Sequence, residues 1–101
     1  MGIEYRIVLD SGAELELIIE KIFLSLKSNE LYQGIMLKNG MLFLPDNQFE
    51  QGSWFELSSF RENELYIWML GNRMAQEEDG LVEEICRIIS NMGFKYELDE
   101  P

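Results

Sequence analysis

The run Glu64-Leu65-Tyr66-Ile67-Trp68-Met69-Leu70 restricts what this chain can fold into more than any other stretch. Read with period two, Leu65, Ile67 and Met69 point one way, and Tyr66, Trp68 and Leu70 the other. Both faces are apolar, which marks a central strand whose second face is at least partly covered. Such a strand needs a neighbour on each edge and a helical layer on one face. Nothing in the chain rises to a catalytic or cofactor signature, so the residues define an architecture and a surface.

The flanking sequence supplies the neighbours. Ile3, Tyr5, Ile7 and Leu9 alternate with Glu4, Arg6, Val8 and Asp10, a half-buried strand. Ser11 then predicts a helix cap, with Glu14 three residues on closing a capping box. Leu15, Ile18, Ile19, Ile22, Phe23 and Leu26 follow at helical spacing, and Leu17 and Leu24 widen that stripe into a well-covered helix. Ser28-Asn29-Glu30 ends it, and a strand is expected over residues 31–38. Asn39-Gly40 offers the two positive-φ residues of a type I′ hairpin turn, with residues 41–44 returning until Pro45 stops the ladder.

Residues 46–53 read as a polar loop, 54–58 as a short strand, and Phe60-Arg61-Glu62-Asn63 as a turn into the central strand. In that short strand Phe55 and Leu57 are expected to face away from Trp54, Glu56 and Ser58. Residues 73–80 read as a loop or a frayed first turn, because Asp79-Gly80 interrupts the pattern, and a helix is expected from about Leu81. Val82, Ile85, Cys86, Ile89 and Met92 form its apolar stripe. Gly93 stands where a left-handed C-cap is needed, and Phe94, Tyr96 and Leu98 alternate in a last strand. The order β-α-β-β-β-β-α-β predicts a single α+β domain over residues 1–101. It is a two-layer sandwich with a mostly antiparallel sheet and both helices on one face, an elaborated ferredoxin-like plan.

Composition narrows the chemistry. Nineteen acidic against eight basic residues give a formal charge of −11, and the hydrophobic fraction of 47% is that of a folded globule. That field repels nucleic acid and anionic membrane and favours cationic partners; its plainest role is to keep a small protein in solution. The chain has no histidine and one cysteine, so histidine acid–base chemistry, thiolate zinc sites and intrachain disulfides have no residues to work with. Cys86 falls on an apolar stripe and reads as a packed thiol. Residues 46–52 resemble the start of a calcium loop, but the glycine comes one place late and Leu57 stands where the closing glutamate belongs. The glycines are scattered at turns and form no phosphate loop. No cofactor, no metal and no catalytic activity are expected. With no basic-then-apolar segment at its start and no apolar run long enough for a bilayer, the chain is expected to be cytoplasmic.

Two surface features remain. Glu77, Glu78, Asp79, Glu83 and Glu84 cluster around the start of the second helix, as a solvated run that complements the helix dipole or as a docking patch for a basic protein. Trp54, Tyr66 and Trp68 are expected to share the sheet face away from the helices, covering a thin sandwich or anchoring an interface. The profile as a whole is similar to small bacterial immunity proteins and antitoxin-like inhibitors, which are often acidic, cytosolic and cofactor-free. That resemblance implies a stoichiometric binder that neutralises a basic partner such as a toxin nuclease. Two rivals stand beside it: a ligand-sensing ferredoxin-like module that homodimerises through its sheet, and an acidic mimic of nucleic acid.

Overall fold

The computed structural model describes residues 2–10, 12, 14–45, 52–70 and 75–99. Along the chain run β1 (Ile3–Leu9), α1 (Leu15–Lys27), a 3₁₀ turn (Glu30–Tyr32), β2 (Met36–Lys38), β3 (Met41–Pro45), β4 (Ser53–Arg61), β5 (Glu64–Met69), α2 (Ala75–Asn91) and β6 (Tyr96–Asp99). The strands form one antiparallel sheet in the order β2-β3-β4-β5-β1-β6. Within it β6-β1-β5-β4 follow the split β-α-β plan, and the β2–β3 hairpin extends the sheet at the far edge. β5 is interior, between β4 and β1, as its two apolar faces require.

Register explains the core. Tyr5 stands opposite Ile67, which stands opposite Leu57, which stands opposite Leu42. The adjacent row runs Ile3, Met69, Phe55, Leu44. These rows share one sheet face because side chains two apart along a strand point the same way. Ile18, Ile19, Ile22 and Leu26 of α1 and Leu81, Val82, Ile85 and Ile89 of α2 close over that face in a single buried cluster. The architecture is a two-layer α+β sandwich. α1 covers the sheet along one stripe only: Leu17 and Leu24, expected to widen that stripe, are 54% and 60% exposed.

Local chemistry decides where elements begin and end. Glu14 is itself the N-cap of α1, in extended conformation and without a side-chain cap bond, so it closes no capping box; Ser11 lies outside the described residues. The strand expected over 31–38 is shortened to three residues. The Asn29 side chain accepts from the Leu31 N–H at 3.0 Å and its carbonyl accepts from Tyr32, winding a 3₁₀ turn that buries Tyr32 and Ile35 instead. The Asn39-Gly40 turn forms as the sequence predicts, with φ of 54° and 78°. β4 runs on to Arg61, beyond the expected Ser58, and only Glu62 and Asn63 turn the chain, Asn63 at φ 67°. The polar loop and the calcium-like pattern over residues 46–51 lie outside the described residues.

α2 begins well before Leu81. Asp79-Gly80 does not interrupt it, because Glu78, Leu81, Val82 and Ile85 already present a buried face at helical spacing. Tertiary packing outweighs the roughly 0.5–1 kcal/mol that a glycine inside a helix costs relative to alanine. The helix ends where Gly93, at φ 91°, donates to Ser90 while Phe94 donates to Ile89, the paired bonds of a Schellman motif.

Ile67 is fully buried at the centre of this arrangement. Ile67→Ala is expected to cost about 2–5 kcal/mol of stability. Chemical denaturation checks it, and an unchanged midpoint would place the core elsewhere.

Candidate interaction surface

The face of the sheet turned away from the helices carries the side chains that alternate with the core. One row across it reads Met36, Phe43, Glu56, Trp68, Glu4. The next reads Ser58, Tyr66, Arg6, Asp99. No helix covers this face among the described residues, yet Phe43, Tyr66 and Trp68 are only half-buried, each lying low among its cross-strand neighbours.

Trp68 therefore has a carboxylate directly opposite it on each neighbouring strand. The Glu4 carboxylate beside the Tyr66 hydroxyl is the largest cause, before burial and the charge of Glu56, that pushes the phenol above its ordinary range. Ser53 Oγ donates to Glu56 Oε1 at 3.2 Å. Gly2 lies against the indole: a Cβ there would fall 3.1 Å from Cδ1 and closer still to Nε1, so a larger residue would have to displace the ring. Phe60 flanks Tyr66 with ring centroids 5.9 Å apart, and the Arg61 guanidinium sits over Phe60 at 5.2 Å. Phe60 is the extra residue of a bulge between Ser59 and Arg61, which leaves it 53% exposed. At the β6 edge Arg6 pairs with Asp99 at 2.9 Å, an exposed bridge that keeps the strands in register and adds about 0–1 kcal/mol.

The eight residues singled out from the sequence do not form one surface. Tyr66 and Trp68 lie on the open face. Trp54 leaves it: Leu44 pairs with Phe55 and Pro45 with Ser53, so Trp54 is the extra residue of a bulge. Its side chain is buried beside Phe55 in the core cluster, with ring centroids 6.3 Å apart. The acidic cluster rides on α2, in the layer behind the sheet, and is itself divided. Glu78 is buried, 5% exposed, and is the one buried charged residue among those described. Arg87 donates to Glu84 through Nε at 3.1 Å, and this bond holds the Glu84 carboxyl below its usual range. Glu77, Asp79 and Glu83 are exposed. The residues that the sequence reading missed are Glu4 and Glu56: alternation put them on the right face, but only the strand order places them beside Trp68.

Cys86 is buried, as its place on the apolar stripe predicts. Burial, first, and the charge of Glu83 push its thiol up, and a hydrogen bond with the Tyr96 hydroxyl only partly opposes them. Such a thiol is a poor nucleophile. No group of three or more histidine, cysteine or carboxylate side chains that could hold a metal comes together among the described residues, and no helix there is long and apolar enough to cross a membrane. Comparison with protein-family models gives no match, and neither the curated proteins nor the solved structures give one.

The raised thiol and phenols fix the sign of an alkaline effect. A group whose folded value lies above its unfolded one contributes stability that is complete below the unfolded value. That stability is lost as pH rises through the folded one. For Cys86 the loss begins above about pH 8.5 and for Tyr32 above about pH 10. Denaturation midpoints are expected to fall across this range, with Cys86→Ala losing the earlier part of the decline and a thiol reagent reacting slowly with the native chain. A midpoint flat to pH 11 or so would contradict the burial of both groups.

Proposed function

We propose that this chain is a non-catalytic protein-binding module that captures a basic protein partner on the open face of its sheet. It acts in the cytoplasm as a stoichiometric inhibitor of the immunity or antitoxin type, neutralising a partner such as a toxin nuclease. The observation that carries this reading is the row Glu56, Trp68, Glu4, an indole between two carboxylates. A lysine or arginine side chain from a partner gains ring quadrupole and carboxylate together there. Phe43, Tyr66 and Met36 supply apolar area around it, and a net charge of −11 accelerates encounter with a cationic surface. The acidic residues of α2 lie in the other layer and add to that long-range field without touching the same patch.

Anchor and field separate in kinetics. Trp68→Ala is expected to speed dissociation by about thirtyfold, roughly 2 kcal/mol, as a desolvated anchor does. Charge reversal at Asp79 and Glu83 is expected to slow association and flatten its salt dependence while leaving dissociation nearly unchanged. The measurement is a pull-down from the source cell at low salt, then binding kinetics on the protein recovered. An acidic partner, or binding indifferent to Trp68, would sink the proposal. Recovery of only a symmetric homodimer carrying a bound metabolite would give this face to the sensor module.

A further inference from the structure

A second recess lies on the other side of the sheet, at the end of the core where the 3₁₀ turn, the β3–β4 end and the first turns of α2 meet. It is a cavity of about 540 Å³, within the range that holds a small organic molecule. Leu31, Leu44, Pro45 and Trp54 give it apolar walls, and Tyr32, Gln76 and Glu77 supply its polar groups. No basic side chain lines it among the described residues.

Two of its lining residues are glycines whose backbones do not ask for glycine. Neither Gly34 nor Gly80 has φ in the left-handed region, and a Cβ on either would meet nothing within 4 Å. Gly80 stands inside α2, where alanine would favour the helix. What the two missing side chains leave is room. An open mouth kept at a cost in helix stability is what a binding recess requires and what a packing defect does not.

We propose that this cavity binds a small organic cation with an apolar body, an aryl- or alkylammonium compound. The apolar and aromatic walls take the body, and indole and phenol rings favour a cationic head over a neutral one. Among the described residues Glu77 is the only ionised group on the lining, so an anion of the same size meets repulsion there. Tyr32, whose phenol burial and then Glu84 and Glu77 push above its ordinary range, offers a neutral hydroxyl. This site shares no residue with the open face, and the two proposals stand or fall separately.

The test is a titration of the ¹⁵N-labelled chain with benzyltrimethylammonium, benzyl alcohol and benzenesulfonate. The cation is expected to give saturable shifts at the Trp54 indole N–H and at the Gly34 and Gly80 amides, leaving the Trp68 indole unmoved. It is expected to bind about tenfold tighter than the alcohol, with the sulfonate weakest. Glu77→Gln should erase most of the preference for the cation. Gly80→Leu should fill the recess and abolish binding of all three, its dispersed spectrum showing that it is folded; Gly80→Ala, gentler on the fold, should weaken all three. Equal binding of cation and alcohol, shifts centred on Trp68, no saturation, or undiminished binding by the filled variant would each overturn the proposal. So would N-acetylarginine amide binding as tightly as the aryl cation, which would assign the recess to a partner's side chain.

Discussion

The whole molecule depends on one sheet face being dry. Leu65, Ile67 and Met69 are fully buried from the same side of β5, and Ile7, Phe55, Leu57 and Leu42 continue that surface across the neighbouring strands. Each such side chain is worth about 1.5–3 kcal/mol on burial, so a handful of them rivals the whole net stability of a domain this small. A slip of one residue of β1 or β4 against β5 would turn Glu4, Arg6 or Glu56 toward the helices. Burying those charges without partners costs more than the strand gains. Register, helix placement and the identity of the open face all follow from that single penalty.

Most of the fold was legible because it rests on periods. The alternation of β1 and β5, the stripe of α1, the Asn39-Gly40 turn and the Gly93 cap are local signals, and each appears where its residues predict. The misreadings weigh short-range signals wrongly in both directions, a glycine too heavily against packing and a polar side chain too lightly against alternation. Asp79-Gly80 looks like a break until Leu81 and Ile85 bury the same helix face. Residues 31–35 look extended until the Asn29 side chain accepts from the Leu31 N–H, two residues on. Of the candidate surface, Tyr66 and Trp68 were readable from alternation alone. Glu4 and Glu56 needed the strand order, which brings residues more than fifty positions apart into one row and leaves no trace in either segment.

Bulges redistribute the aromatic side chains that a regular ladder would have kept together. One extra residue at Trp54 turns an indole from the sheet surface into the end of the core. Another at Phe60 lifts a ring onto the open face beside Tyr66. Neither can be read from propensity, since a bulge is a property of two paired strands rather than of one.

The edges of the sheet give the open face a further meaning. β2 has three residues and β6 four, too little backbone for another chain to add a long strand at either side. Any contact with this layer would therefore be made side chain by side chain, head-on. On β1, β4 and β5 the residues that meet such a visitor alternate with those that hold the fold, so the two sets occupy the same strands without sharing a position. Substitution at Glu4, Glu56, Tyr66 or Trp68 leaves Tyr5, Leu57, Leu65 and Ile67 in place. The side chains of the open face are thus free to change while the architecture stays still.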